Sequence, residues 1–343
     1  MTTHDLTTTT PQTPLERAGR TANGYAARSA FSDYRARKAD QTLRRQDGDL
    51  ALFAEYLADA GIPDAPSGKD LAGQAEPWRG VTWGLVEGWA RWQLARGYAV
   101  ASVNVRLSTV RTYAELAAKA DALLPLELGL IRSVKGYSRK EGKRLDDRRD
   151  VARIGGKKAD PVTLTPAQAK RLKRQPNTPQ GRRDAVLMCI LLDHGLRASE
   201  LAGLAVTDID LAAGLVTFYR SKVDKTQTHK LTPDTARALR RYFDAGDAPA
   251  VGPLLRASAG PGRLTHAGMT ARRLSERVRT LGVDVGAVGL SAHDCRHYWA
   301  TQAARAGTAL DRLQDAGGWS SLAMPARYIE AAAVANEGVK LPE

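Results

Sequence analysis

The 343-residue sequence has only two cysteines, Cys189 and Cys295. Two cysteines give no disulfide framework and no zinc site, and such usage suits a reducing cytoplasm. No apolar run approaches the roughly 18 residues that a membrane span needs, so no membrane partner is expected. Residues 1–14 are Thr-rich and lack both an apolar core and an Arg-rich amphipathic pattern. They exclude a signal or transit peptide and read as a disordered lead-in. There is no glycine-rich phosphate cradle followed by Lys and Ser/Thr. The six histidines are too scattered for a ligand cluster, and no pair at the spacing of a zinc helix is expected. No carboxylate set announces a two-metal nuclease, and no fixed-period repeat is found. Neither a metal nor a cofactor is expected.

Positive charge is what the chain has in excess. Its formal net charge is +14, with a pI near 9.9. A basic chain of this kind calls for an anionic partner, and nucleic acid is the commonest. At this length two domains are expected. The first, residues 15–145, reads as helical. Leu50, Phe53, Tyr56 and Leu57 recur at helical spacing before Gly61 and Pro63. Thr82 caps a second helix, whose Leu85, Val86, Trp89 and Trp92 share a face and whose stop is Gly97. The two tryptophans read as core rather than as base-stacking platforms. A third helix starts at Ser102, with Val103, Leu107, Val110, Ala114 and Ala117 as its stripe.

From Arg132 to Lys158 there are eleven Lys or Arg against four acidic residues, with glycines between them and no persistent helical stripe. The heart of this stretch, residues 146–160, reads as a basic interdomain linker. Arg148, Arg149 and Arg153 are its candidate phosphate contacts, a solvated spacer being the alternative. The second domain, residues 161–343, opens on a capping box, Thr165-Pro166-Ala167-Gln168. A buried helix over 184–192 ends near Gly195. Leu215–Tyr219 is a strand, with a returning segment at His229–Thr232, and Thr232-Pro233 starts another helix. Beyond Gly252 the chain reads as helical, broken only at Ser258–Gly262. This gives a mostly helical domain with one small hairpin.

Four features carry chemistry. Arg197 lies just past a helix end, with Glu200 three residues on to hold its guanidinium. His293 and Arg296, at i and i+3, share a helix face. Ala316-Gly317-Gly318-Trp319 follows, and Tyr328 comes nine residues later. Such residues suit phosphoryl transfer without a metal. Two guanidiniums can hold the non-bridging oxygens of a phosphodiester, and the same positive field favours the phenolate of a tyrosine. His293 can accept or relay the tyrosine proton.

In this order the residues resemble the tyrosine recombinases, the phage integrase family. Residues 316–328 are similar to its Cre-like members, with Trp where most relatives have His. The resemblance covers the chain from about Thr165 onward in motif terms, and the N-terminal domain only in kind and position. It implies a mainly α, C-shaped clamp on DNA: a helical core-binding domain, then a mixed α/β catalytic domain, mostly helical with a small β-hairpin. It implies Tyr328 as covalent nucleophile and a phosphate contact from the Trp319 ring nitrogen. It also implies a lysine on the hairpin as general acid. Lys222 aligns best and Lys225 competes, while Lys230 is read as a phosphate grip. The implied partner is double-stranded DNA bearing a short inverted-repeat site, bound by a homotetramer on two such sites. The implied setting is cytoplasmic and nucleoid-associated, in a bacterial, phage or plasmid-encoded system without a separate arm-binding domain. A type IB topoisomerase, which would use the same residues to relax DNA, is the alternative.

Overall fold

A computed structural model describes residues 13–149, 154, 161–259 and 262–332. The chain divides into two compact units, Met1–Ala159 and Asp160–Glu343. The expected lead-in lies outside the described residues up to position 12. Thr13 and Pro14 already belong to the first helix, as its N-cap and first-turn proline.

Among the described residues the first unit is helical: α1 (Pro14–Ala36), α2 (Asp40–Asp59), α3 (Gly68–Gly73), α4 (Trp83–Ala95), α5 (Val100–Lys119), α6 (Pro125–Ser133) and α7 (Arg139–Asp146). The Thr82 hydroxyl accepts from the Leu85 amide to start α4. Leu50, Phe53 and Leu57 of α2 meet Val86 and Trp89 of α4 and Val103, Leu107 and Val110 of α5 in one core. Each such side chain contributes roughly 1.5–3 kcal/mol on burial. Trp89 is fully buried against Phe53, their ring centroids 5.0 Å apart. Trp92 is half-buried, donates to Asp59 and carries the Arg96 guanidinium over its ring. Both tryptophans are therefore engaged within the unit.

Two expectations need correction here. The third helix begins at Val100, not Ser102, with Ala99 as N-cap. The basic stretch is not free of helix either. Ser138 and Glu141 close a capping box that starts α7, a helix too charged to show an apolar stripe.

The second unit comprises α8 (Pro166–Lys173), α9 (Pro179–His194), α10 (Ala198–Ala202), β1 (Ile209–Asp210), β2 (Leu215–Arg220), β3 (Lys225–Lys230), α11 (Pro233–Asp244), β4 (Arg256–Ser258), β5 (Leu264–Gly268), α12 (Ala271–Asp284), α13 (Ala292–Arg305), α14 (Leu310–Gly317) and α15 (Ala323–Ala332). Helix α9 is the axis of its core. Val186 to Leu192 are buried, and α8, α11 and α13 pack around them. It starts five residues before the expected segment, at a cap from Thr178. Strands β1, β2 and β3 form an antiparallel sheet in that order, with Arg220 opposite Lys225. The return strand thus begins at Lys225, earlier than the expected His229. The expectation of helix beyond Gly252 is overturned by a second hairpin, β4–β5, whose first strand ends at Ser258, where the expected break begins. No described helix is long and apolar enough to cross a membrane.

Candidate active site

Helix α9 ends where Gly195 turns left-handed, at φ 63°. A Cβ at that position would stand 2.3 Å from the Trp299 ring, so glycine is required twice over. The turn delivers Arg197 as the N-cap of α10. Glu200, the third residue of that helix, accepts from the Arg197 amide at 2.8 Å and from its guanidinium at 2.6 Å. The Arg197 side chain keeps 24 % of its surface exposed while Glu200 is buried, so the guanidinium is anchored at one end and open at the other.

Arg296 comes from the first turns of α13, whose cap is Ser291 boxed with Asp294. It is buried, and it donates to the carbonyl oxygens of Gly195, at 2.6 Å, and of Gly317. Its guanidinium lies 4.5 Å from the Trp319 ring centroid. Burial, then the nearby charges of Arg197 and Arg220, draw its pKa down to about 10. It still carries its charge at neutral pH. Its two carbonyl contacts leave further N–H donors for a phosphate.

Helix α14 closes on Gly318, left-handed at φ 59°, and presents Trp319. The Trp319 ring stacks on Trp299, centroids 6.1 Å apart, and lies 5.5 Å from the ring of Tyr328 on α15. Tyr328 is only 4 % exposed, and its hydroxyl is buried with no hydrogen-bond partner among the described residues. Burial pushes its pKa above the ordinary phenol value, against the opposing charges of Arg296 and Arg327. An orphaned buried hydroxyl is costly, and a group that supplies it with partners binds at an advantage.

His293 is exposed on α13. Its ring meets His297 at 4.5 Å, and His297 meets Tyr328 at 5.2 Å. Its ring is partly covered by His297, and this lost hydration, then the charges of His297 and Arg296, hold the His293 pKa below the usual imidazole value. The lowered pKa favours the neutral ring. The expectation of no histidine pair at zinc-helix spacing fails here, because His293 and His297 are four apart on one helix. Among the described residues no third potential ligand joins them.

The site thus gathers Arg197, Glu200, His293, Arg296, Trp319 and Tyr328. Among the described residues the hairpin lysines make no hydrogen bond or ion pair to these six side chains. Lys222 stands exposed in the turn between β2 and β3, with no ion pair among the described residues. Lys225 is committed to Asp315 at 2.7 Å, and Lys230 is exposed at the far end of β3. In the basic stretch Arg148 is exposed. Arg149 instead turns inward, its Nη1 donating to the carbonyls of Leu94 and Tyr98 and its Nη2 to Asp146. Arg153 lies outside the described residues.

Sequence reasoning missed Arg220 and His297. The signal for His297 was present, four residues past His293. Arg220, a cation at the end of β2 just before an exposed turn, looks like one more surface charge, yet it shares the inward face of Val216 and Phe218 and is fully buried.

A buried tyrosine thus lies against a histidine and a tryptophan, with the Arg296 guanidinium over that tryptophan. The phage integrase family matches residues 162–334. The chain belongs to that family and is a tyrosine site-specific recombinase. It is 29% identical over 315 residues to the tyrosine recombinase XerC of Mycobacterium sp. (strain JLS), covering 87% of this chain and 92% of that protein. It is also 29% identical over 185 residues to XerD of Neisseria meningitidis serogroup B (strain ATCC BAA-335 / MC58), covering 52% of this chain and 62% of that one. Among solved structures, lambda integrase (75–356) as a dimer on a COC′ core site has a TM-score of 0.59 at 12% identity, covering 93% of this chain and 98% of that one. The Tn1549 transposon integrase with circular intermediate DNA has a TM-score of 0.56 at 18% identity, covering 82% and 94%. These two likenesses establish the fold.

Proposed function

We propose that this recombinase cuts and rejoins double-stranded DNA through a 3′-phosphotyrosyl bond to Tyr328, without metal or ATP. The phenol oxygen attacks the scissile phosphorus and its proton passes to His293. Arg197, Arg296 and the Trp319 ring nitrogen hold the non-bridging oxygens as charge develops on them. The 5′ oxygen leaves with a proton from Lys222. Attack by the 5′ hydroxyl of a second strand reverses the sequence and frees the tyrosine. The phosphodiester energy is kept in the covalent bond, so resealing needs no nucleotide. A homotetramer on two inverted-repeat sites exchanges strands in pairs through a Holliday junction. Arg148 contacts backbone phosphate, and the two units act as core-binding and catalytic domains.

The observation that carries this reading is the placement of Tyr328 against Trp319, which itself lies under the Arg296 guanidinium. A His293 pKa held below the usual imidazole value and an Arg296 pKa of about 10 suit these roles. The similarity to the tyrosine recombinase XerC over most of both chains supports recombination as the outcome. The test is a plasmid carrying two copies of the inverted repeat nearest the gene, incubated in EDTA without nucleotide. Recombinant circles and trapped four-way junctions are expected. Relaxation of a plasmid lacking the site, with no recombinants from the two-site plasmid, would indicate a topoisomerase and overturn the proposal.

A further inference from the structure

We propose that Arg220 is a positioning residue that aligns Arg197 and Trp319 from a single buried guanidinium. This inference rests on the catalytic reading of those two residues.

The Arg220 side chain has no exposed surface. Its Nη1 donates to Glu200 Oε2 at 2.9 Å, its Nη2 to the Ala316 carbonyl at 2.7 Å, and its Nε to Gln227 Oε1. Each acceptor leads to a catalytic segment. Glu200 lies between two guanidiniums, holding Arg197 with one oxygen and Arg220 with the other. Ala316 begins the turn that presents Trp319. Gln227 adds a bond from its Nε2 to the Asp315 carbonyl at 2.6 Å. The carbonyls of residues 315, 316 and 317 are thus claimed in succession by Gln227, Arg220 and Arg296.

The packing leaves this arrangement no slack. Gly318 follows at φ +59°, and a Cβ there would stand 2.5 Å from Arg220 Cδ. Only arginine offers a planar fork that fixes three acceptors at set angles; an ammonium is a point charge on a flexible stem. Stability alone does not call for such a group, since buried ion pairs are often replaceable by apolar packing. What apolar packing cannot supply is a fixed direction between Glu200 and the Ala316 turn.

The test is single-turnover formation of the covalent adduct on a nicked duplex site, using Arg220→Lys and Arg220→Met. Site affinity and thermal unfolding are read alongside. Misplacing a catalytic group by about 1 Å costs on the order of 10²-fold in rate, and that loss is expected with affinity unchanged. Adding Trp319→Phe should cost little more than either change alone, because both act on one turn. Normal cleavage per folded molecule, or losses that multiply, would overturn the proposal. If neither Arg220 variant folds, Gln227→Leu decides. It removes the hold on Asp315 and should give a smaller loss, again non-additive with Trp319→Phe; wild-type cleavage by that variant would overturn the proposal. Absence of adduct in the wild type would instead sink the catalytic reading beneath it.

Discussion

Acid should loosen the scaffold under the active site. His194 is the last residue of α9, three before Arg197, and His229 lies on β3 beside it, ring centroids 5.9 Å apart. His194 is surrounded by the Thr235 hydroxyl and the Lys173–Asp193 pair. His229 faces Phe218, the Ala316 backbone, and the charges of Arg220 and Asp315. Burial is the chief cause in both cases. The Lys173 charge adds to it for His194, and the His194 and Arg220 charges add to it for His229. Both pKa values fall from 6.5 to about 4. The unfolded chain binds these protons near pH 6.5 and the folded chain does not until about pH 4. The stability is therefore complete above pH 6.5 and is lost as pH falls through that window. At pH 5 the loss is about 2 kcal/mol for each ring, and somewhat less than double for the coupled pair. Urea midpoints at pH 7, 6 and 5 measure it. His194→Gln and His229→Gln should each be less stable at pH 7 yet flatter in pH by about half of the wild-type slope. Parallel pH profiles in wild type and variants would refute the argument.

Three further expectations concern single cations. Lys222→Ala should cut normal DNA about 10²–10⁴-fold more slowly. It should cut a site with a bridging 5′ sulfur at nearly the wild-type rate, because a thiolate leaves without protonation. Rescue of Lys225→Ala instead, despite its pairing with Asp315, would move the general acid to that residue. Arg148→Ala should flatten the salt dependence of DNA affinity by about one unit with little effect on folding. Arg149→Ala should chiefly lower the melting temperature of the first unit, since it strips donors from the Leu94 and Tyr98 carbonyls. An unchanged melting temperature would return Arg149 to the DNA surface.

The legible parts of the sequence were those with local signals. Thr82, Thr165 and Thr232 cap helices as side-chain chemistry dictates, and Gly195 stops α9 because only glycine fits its turn. His293 and Arg296 fall on one face of α13 by helical spacing alone. What escaped was non-local or lacked period. Strands β4 and β5 span three and five residues, too short for alternation to register. Helix α7 has a cap but no apolar stripe. Arg220 acquires its meaning from Glu200, 20 residues before it, and Ala316, 96 after it, and no window along the chain holds both. The inward turn of Arg149 was hidden for the same reason. Its acceptors are backbone carbonyls, which every residue has.

The central claim is that Tyr328 is the nucleophile, and Tyr328→Phe tests it by removing one oxygen atom. The phenyl ring retains the packing against Trp319 and His297, and the lost hydroxyl has no partner among the described residues. Folding and site-specific DNA binding should therefore persist. Incubated with a nicked duplex site, the wild type should yield a protein–DNA adduct whose phosphate is bonded to residue 328 and to a 3′ end, and the variant should yield none. A residual adduct in the variant, or a wild-type adduct mapped to any other residue, would contradict the account.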